Sequence, residues 1–377
     1  MSIPAEEMPR RWKRLREAMA RADLGGLLVF SNQLKPVSIH YAAGYTLLGD
    51  RAFCYLPVAG PPSLFISEAW DRERAIRETQ FEEVSVLGKN WPQEVAAVCR
   101  SCKGRLGVAG REIMGRLEAQ ALEAALGYET VSASRLLEEV ATVKSPYELG
   151  LIREAARMAD AGFMRALEVI RNGLSDYELV AEMDYTMRQM GATDNFQMLA
   201  VGKQNTGMLL PLNKKIEPGD LILFEITPAN GPETYTAQLC KTAIFGETPD
   251  QLLQEKYRLL IDAHEESLRA IKPGVRISEV ARIQNERIAK AGYGEYCRPP
   301  YMRARGHGFG LGRIEIDEDS SLKFAEGMSL VVHPNQFLPE TGYLAIGEHI
   351  IVTATGIERL TRTDSKIYEC PGASKGS

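Results

Sequence analysis

Five polar residues that could bind a metal ion or move a proton lie in or beside apolar, strand-like runs in the second half of the chain. Glu225 ends the run LILFE, His333 ends SLVVH, and Glu348 interrupts YLAIGEHIIVT. His307 stands between two glycines in GHGFGLG, and Gln238 opens the run QLCKTAIF. An acidic or imidazole side chain in a buried strand costs free energy unless it is paired or used. We therefore predict that these residues are functional, while their spacing alone does not show that they meet.

Other motifs that carry chemistry in many proteins fail in this chain. In GHGFGLG residue 311 is leucine, so the phosphate-binding pattern G-x-G-x-x-G is absent, and no G-x-S-x-G nucleophile motif occurs. Cys99 and Cys102 form a single C-x-x-C without a second pair or a nearby histidine, which leaves a structural zinc ion short of ligands. The sequence therefore does not indicate a nucleotide-binding loop, a serine hydrolase or a zinc-binding module.

The composition is typical of a folded globular protein, with 377 residues of which 45% are hydrophobic and 25% charged. The formal net charge of −5 gives no electrostatic reason to expect nucleic acid or an anionic membrane as a partner. The N-terminus has no apolar secretory segment, and no long uninterrupted apolar window follows it. Because the six scattered cysteines also fit free thiols, we expect a cytoplasmic protein.

A change of pattern near residue 140 predicts two domains. Upstream, short apolar runs such as GGLLVF and RLGVAG alternate with helical patterns, which is typical of a small α/β domain. Downstream, amphipathic helices are predicted over 147–172, 175–190, 249–271 and 277–291, around antiparallel strand patterns. This arrangement favours an α+β second domain.

Two serines mark the predicted starts of the first helices of the second domain. Ser145 can accept hydrogen bonds from the free amides of a helix N-terminus, and Pro146 suits the first helical position. Ser175 has Glu178 three residues later, which is the pattern of a capping box.

The chain resembles the M24 family, which contains creatinase, prolidase and aminopeptidase P. The resemblance covers nearly the whole chain and is strongest at KSPYELGLIREAARMADAGF, IKPGVRISEV, GHGFG, EGMSLVV and GIERLT. It implies a creatinase-like N-terminal α/β domain over 1–140, followed by an α+β pita-bread catalytic domain over 141–377. It also implies a homodimer that acts on a small-molecule substrate, without nucleic acid or a membrane as partner.

The resemblance also identifies the five polar residues with a metal site. The peptidases of the family hold two divalent metals with Asp, Asp, His, Glu and Glu, and the matching positions here are Glu225, Gln238, His307, His333 and Glu348. Only two of these residues are carboxylates, too few to neutralise two divalent ions. We therefore expect no metal or one divalent transition metal, and not a two-metal centre. One ion would have Glu225, His307, His333 and Glu348 as ligands, a set that suits zinc, iron or manganese.

Two further histidines of the family, which position substrate in its peptidases, are replaced here by apolar residues at 208–210 and at Ile314. These replacements imply a more hydrophobic pocket and argue against a proline peptidase. We therefore expect a creatinase-like hydrolase that cleaves a C–N bond of a small molecule. The alternatives are a mononuclear-metal hydrolase or lyase using the same site, and a catalytically inactive pita-bread binding protein.

The candidate residues can be given provisional roles on this basis. The predicted catalytic residues are His307, His333, Glu225 and Glu348, with a histidine as general acid or base and a glutamate of raised pKa beside it. The predicted substrate-binding residues are Gln238, Arg305 and Tyr235. Arg305 adjoins the GHG turn, where its guanidinium could clamp a carboxylate.

Overall fold

A computed structural model describes residues 3–231 and 235–371. The chain falls into two compact units, one that ends at Thr142 and one that begins at Val143. Within the described residues, none of the helices combines the length and the apolar character needed to span a membrane.

The first unit is a six-stranded mixed sheet with helices. Its helices are α1 (Glu7–Arg21), α2 (Val37–Ala43), α3 (Arg72–Glu78), α4 (Trp91–Cys99), α5 (Arg116–Leu126) and α6 (Ser134–Thr142). Its strands are β1 (Leu24–Asn32), β2 (Arg51–Pro57), β3 (Ser63–Ile66), β4 (Val84–Val86), β5 (Arg105–Ala109) and β6 (Thr130–Ser132). The strand order is β4-β3-β2-β1-β5-β6, with β1–β2 and β2–β3 antiparallel and the other pairs parallel. Strand β1 is buried from Leu24 to Ser31, as is typical of a central strand with both faces covered.

The second unit contains the predicted long helices and three sheets. Its helices are α7 (Pro146–Val169), α8 (Asp176–Gln189), α9 (Gln251–Ala270) and α10 (Ile277–Ile288), which confirms the four helices that were predicted. Its strands are β7 (Asp194–Gly202), β8 (Leu221–Ala229), β9 (Leu239–Phe245), β10 (Gly306–His307), β11 (Ser329–Val332), β12 (Gln336–Leu338), β13 (Gly342–Leu344), β14 (Glu348–Val352), β15 (Ile357–Arg359) and β16 (Ile367–Cys370). They form the sheets β16-β9-β8-β7 and β10-β11-β14-β15 and the pair β12-β13.

Both predicted helix starts are confirmed as capping boxes. At α7, the Ser145 hydroxyl accepts the Glu148 amide at 3.1 Å, and the Glu148 carboxylate accepts the Ser145 amide at 2.7 Å. Ser175 and Glu178 make the same reciprocal pair at α8. Two backbone donors that the helix itself cannot satisfy are thus paired at each start.

The sheet β16-β9-β8-β7 has different cover on its two faces. Helices α7 and α8 pack against one face, in an apolar cluster that includes Phe163, Met183 and Phe224. The opposite face contributes Leu223 and Cys240 to a cluster with α9, β11 and the β12-β13 pair. We call this second face the site face, because the candidate residues of β8 and β9 lie on it.

Candidate functional site

The register of β8 and β9 brings two of the candidates to the site face. Glu225 lies directly opposite Cys240, and the next position along on that side of each strand is Thr227 and Gln238. Directly opposite residues of an antiparallel pair project to the same side, as do residues two apart on one strand. The Gln238 amide nitrogen donates to the Thr227 hydroxyl at 3.2 Å, which fixes this arrangement. Glu225 and Gln238 are therefore neighbours on one surface.

Glu225 is held in one orientation by Asn335, which the sequence analysis did not identify. The Asn335 Nδ2 donates to Glu225 Oε1 at 2.8 Å, while its Oδ1 accepts the backbone N–H of Ile346 at 2.8 Å. The second bond determines which end of the amide faces the carboxyl. Burial raises the pKa of Glu225 to about 7, and the Asn335 hydrogen bond lowers it only partly. Glu225 can therefore gain or lose a proton near neutral pH.

His307 and His333 form an imidazole pair. Their ring centroids are 5.5 Å apart, and His307 also packs edge-on against Phe309. Burial lowers the pKa of His333 to about 3, so its ring is neutral at physiological pH. The Nδ1 of His333 finds no hydrogen-bond partner in the rest of the described chain. A neutral, partly buried imidazole with a free nitrogen is suited to bind a metal ion or a substrate donor.

Gly306 permits this placement of His307. Its φ of 150° lies in the region that side chains avoid, and a Cβ there would be 2.2 Å from the carbonyl oxygen of Val331. Only glycine lets the turn approach β11 this closely.

The structure does not bring Glu348 to the imidazole pair. Its side chain is buried and forms an ion pair with Arg359, and its Oε2 accepts the Thr361 hydroxyl at 3.4 Å. The preceding residue, Gly347, is the one that adjoins His333, since a Cβ at Gly347 would lie 2.5 Å from His333 Cβ. The strand position nearest to the imidazole pair thus carries no side chain, and Glu348 faces the other way.

His349 is a second residue that the sequence analysis left out of the site. Its Nδ1 accepts the backbone N–H of Gln238 at 3.2 Å, and its Nε2 pairs with the Ser329 hydroxyl at 2.8 Å. Its ring stacks on Phe309 with centroids 5.8 Å apart. Strand alternation places His349 on the side opposite to Glu348, but it does not state which of the two sides is that of the site.

The remaining predicted substrate-binding residues, Arg305 and Tyr235, are both buried in the structure. The guanidinium of Arg305 donates to Asn285 Oδ1, the Asn335 carbonyl and Gln336 Oε1 at 2.7, 3.2 and 2.8 Å. Its three hydrogen bonds hold the loop before β12. Tyr235 packs edge-on against Tyr147, in an apolar cluster on α7. The Arg305 guanidinium is thus engaged within the protein, and its backbone carbonyl accepts the N–H of His333 at 3.0 Å.

Possible metal ligands converge elsewhere than predicted. In the part of the chain that the structure describes, one group of three His, Cys, Asp or Glu residues has its ligand atoms within 4.8 Å of one another: His264, Glu265 and Glu348. The Arg359 guanidinium already pairs with both of these glutamates, Glu265 at 2.9 Å. A metal ion there would have to displace an arginine. The possible ligand atoms of Glu225, His307 and His333 do not all lie within 4.8 Å of one another.

Two family models match the chain. The model described as metallopeptidase family M24 matches residues 150–354, and the creatinase/prolidase N-terminal domain matches residues 11–142. These matches confirm the fold that was expected, an α/β N-terminal domain followed by a pita-bread domain. A divalent metal is consistent with a family of metallopeptidases.

Relatives and solved structures agree with the family models. The Xaa-Pro dipeptidase of Pyrococcus furiosus is 26% identical over 341 residues, which are 88% of this chain and 93% of that protein. An Xaa-Pro dipeptidase structure from Bacillus anthracis has a TM-score of 0.85 at 26% identity, over 96% of this chain and 99% of that one. The prolidase structure from Pyrococcus horikoshii OT3, at 23% identity and a TM-score of 0.82, supports the fold.

These relatives correct the expected function. We expected a creatinase-like hydrolase, a mononuclear-metal hydrolase or lyase, or an inactive binding protein, and in each case not a dimetal proline peptidase. That expectation is wrong, because the relatives include the Xaa-Pro dipeptidases of Pyrococcus furiosus and Pyrococcus horikoshii, and the matching structure at 26% identity is an Xaa-Pro dipeptidase from Bacillus anthracis. The error came from inferring activity from replaced ligands at single positions, and Glu348, which was matched as an unchanged ligand, does not lie beside the others in the structure.

Proposed function

Because the chain belongs to metallopeptidase family M24, we propose that it hydrolyses the peptide bond of small peptides, with Xaa-Pro dipeptides as the substrate class. The substrate class rests on relatives of that name that match along most of the chain. The chemistry rests on one observation: the site face carries a fixed, buried carboxyl, Glu225, whose pKa is about 7.

Glu225 is assigned the proton transfer. With Oε1 held by Asn335, its Oε2 takes a proton from the water that attacks the scissile carbonyl carbon. The same proton then passes to the nitrogen of the departing proline as the C–N bond breaks. A carboxyl with a pKa near neutral is suited to both steps, because neither form is strongly disfavoured.

The imidazole pair is assigned to a divalent metal ion. His307 and His333 supply two nitrogen donors, and the Nδ1 of His333, which is buried and has no hydrogen-bond partner among the described residues, is the observation that fits such a role. The ion would polarise the scissile carbonyl. For the number of ions we propose one, since Glu225 is the only carboxylate among Glu225, Gln238, His307 and His333, and two divalent ions need more negative charge.

The test measures dipeptide hydrolysis and metal content in the same preparations. Release of proline from Leu-Pro, with Mn²⁺, Co²⁺ or Zn²⁺ supplied, is expected to fall about 10²- to 10⁴-fold in Glu225→Gln while the metal content is kept. His333→Ala is expected to lose both the metal and the activity. Glu217→Gln, an exposed glutamate of the same unit, serves as control and should change neither.

Two results would contradict the proposal. Failure to hydrolyse any Xaa-Pro dipeptide with any of these metals would remove the assigned function. Two equivalents of metal per chain by elemental mass spectrometry would refute the single ion and leave the peptidase function in place.

The assembly, location and domain limits are further proposals. We propose a homodimer, on the family resemblance, to be checked by light scattering. A cytoplasmic location is supported by the six cysteines, all free in the structure. The domains 1–140 and 141–377 are proposed as independent folding units, which expression of 141–377 alone would test.

A further inference from the structure

An open cavity of about 550 Å³ lies beside α10. Its wall is formed by residues 281–289, in and just after α10, by residues of the segment 294–305, and by residues 316–319. Neither Glu225 nor either histidine of the imidazole pair lines it. Cavities of this size are typical of sites for small molecules. We call it the α10 cavity.

The wall of the α10 cavity contains a buried cation. Arg305 is 1% exposed, and its guanidinium donates to three neutral oxygen acceptors, which belong to Asn285, Asn335 and Gln336. In the part of the chain that the structure describes, no carboxylate forms an ion pair with it, and a buried cation without an anionic partner costs free energy. A guanidinium has five N–H groups, so at least one is left for a ligand even if the neighbouring Cys297 thiol accepts another. An anionic group in the cavity would therefore pair with this charge.

A second part of the wall is acidic. Asp317, Glu318 and Asp319 line the cavity, and among the described residues no lysine, arginine or histidine forms an ion pair with them; we call these three residues the acidic wall. Asn285 joins the two parts, because its Oδ1 accepts the Arg305 Nε–H at 2.7 Å and its Nδ2 donates to Glu318 Oε1. The guanidinium and the carboxylate are thus separated by one amide group. An α-amino acid carries its carboxylate and its ammonium on one carbon atom, so its two charges match this spacing.

Apolar side chains complete the wall of the α10 cavity. Met302 and Ile316 line it and are 8% and 0% exposed. Of the other charged residues in the wall, Arg303 and Glu286 are already ion-paired, and Arg298 is exposed to solvent. The cavity therefore offers an apolar surface together with a buried positive charge and unpaired negative charges, which is the combination that a zwitterion with an apolar side chain requires.

We propose that the α10 cavity binds a free α-amino acid with an apolar side chain, and that this ligand lowers the activity of the site at Glu225. The carboxylate of the amino acid pairs with Arg305, its ammonium pairs with the acidic wall, and its side chain packs on Met302 and Ile316. Free amino acids are the products of the proposed hydrolysis, so the cavity responds to product accumulation. The binding itself does not depend on the proposed function, whereas its effect on hydrolysis rests on it.

Arg305 connects the cavity with the proposed active site. Its Nη1 donates to the Asn335 carbonyl at 3.2 Å, and its own carbonyl accepts the His333 N–H at 3.0 Å. Asn335 in turn donates to Glu225 Oε1 at 2.8 Å. A ligand carboxylate competes with the Asn335 carbonyl for the guanidinium, which loosens the residue that orients Glu225. Occupation of the cavity is therefore expected to lower kcat without competing with the dipeptide.

Calorimetry on the full chain tests the binding with L-leucine as the probe. Leucinamide lacks the carboxylate and 4-methylpentanoate lacks the ammonium, so each is expected to bind at least about tenfold more weakly. The variant Glu318→Gln/Asp319→Asn neutralises two exposed carboxylates of the acidic wall and should weaken leucine binding about threefold or more. The variant Glu129→Gln/Glu247→Gln, which changes two exposed glutamates outside the cavity, is the matched control and should bind leucine as the native protein does.

Initial rates with Ala-Pro, a substrate that releases no leucine, measure the effect on the active site. Added leucine is expected to lower kcat and to leave KM unchanged, and this inhibition should weaken in Glu318→Gln/Asp319→Asn. A rise of KM at constant kcat would mean that leucine occupies the active site, and would overturn the regulatory role of the cavity.

The outcomes separate this inference from the proposed function. Leucine binding with the expected dependence on both charges, in a protein that hydrolyses no dipeptide, would keep the cavity and remove the peptidase assignment. Absence of leucine binding would overturn the cavity, and so would equal binding of the three probes. Equal leucine affinity of the native protein and of Glu318→Gln/Asp319→Asn would also overturn it, whatever the protein hydrolyses.

Discussion

The pair of Glu348 and Arg359 permits a sharp test of what Glu348 does. The Glu348 carboxylate faces Arg359 and not the imidazole pair. Glu348→Gln is therefore expected to lower the free energy of unfolding and to leave dipeptide hydrolysis unchanged. A double-mutant cycle with Arg359→Met measures the coupling free energy of the pair without the effects of either change alone.

The expected coupling follows from burial. The Glu348 side chain is 4% exposed and that of Arg359 is 41% exposed. Removing one partner of a fully buried ion pair costs about 3–5 kcal/mol, whereas exposed pairs contribute about 0.2–1 kcal/mol. With one partner buried and the other partly solvated, we expect a coupling of about 2 kcal/mol.

A neighbouring ion pair supplies the control. Glu358 precedes Arg359 in β15 and accepts two hydrogen bonds from Arg153, at 2.8 and 2.6 Å. Two hydrogen bonds favour this pair, but both of its side chains are about 40% exposed, and solvent therefore weakens the interaction. The cycle of Glu358→Gln with Arg153→Met should therefore give less than about 1 kcal/mol.

Urea unfolding followed by far-ultraviolet circular dichroism is the assay. The three tryptophans, Trp12, Trp70 and Trp91, all lie in the first unit, so their fluorescence follows that unit in the same samples. A coupling below about 0.5 kcal/mol would refute the argument from burial. Loss of dipeptide hydrolysis in Glu348→Gln at unchanged stability would instead restore Glu348 to the catalytic set.

Three shorter predictions follow from single side chains. The pKa of Glu225 is raised from 4.5 to about 7, so its protonated carboxyl stabilises the folded state below pH 4.5, and this stabilisation is lost as the pH rises through 7. Glu225→Gln does not lose it, so between pH 4.5 and pH 8 the free energy of unfolding of the variant should rise by about 3 kcal/mol relative to that of the native protein. Urea unfolding in the presence of a chelator at each pH measures this difference. Gly347→Ala should lower the free energy of unfolding by about 1–3 kcal/mol, because its Cβ would lie 2.5 Å from His333 Cβ. The control is Gly207→Ala, whose Cβ would meet nothing within 4 Å. A loss of stability no greater than that of the control, in the same assay, would contradict the prediction. Gly150→Ala, inside α7 with nothing within 4 Å of its Cβ, should stabilise by about 0.5–1 kcal/mol, and a lower urea midpoint would count against it.

The elements of the fold were predictable because their signals are local. Ser145 and Ser175 each carry a helix start in four residues of sequence, and the structure has both. The site was only partly predictable, because it depends on contacts between distant residues. Asn335 is 110 residues from Glu225 in the sequence, and no local pattern around an asparagine that follows a proline predicts their hydrogen bond.

The alternation of side chains along a strand explains why Glu348, at the start of β14, was wrongly expected to lie beside the imidazole pair. Alternation alone states that Glu348 and His349 face opposite sides, but it does not state which of them faces the site. That choice is made by tertiary pairing: Gly347 forms a β-bridge with Cys240, which lies opposite Glu225, and His349 accepts the amide of Gln238. Gly347 and His349 therefore face Cys240 and Gln238, and of the described residues Glu225, Gln238, His307 and His333 only Glu225 is a carboxylate. The metal ion of the proposed function would need negative charge beyond that of Glu225, and the carboxylate of a bound dipeptide is a group that every substrate of the proposed class brings with it.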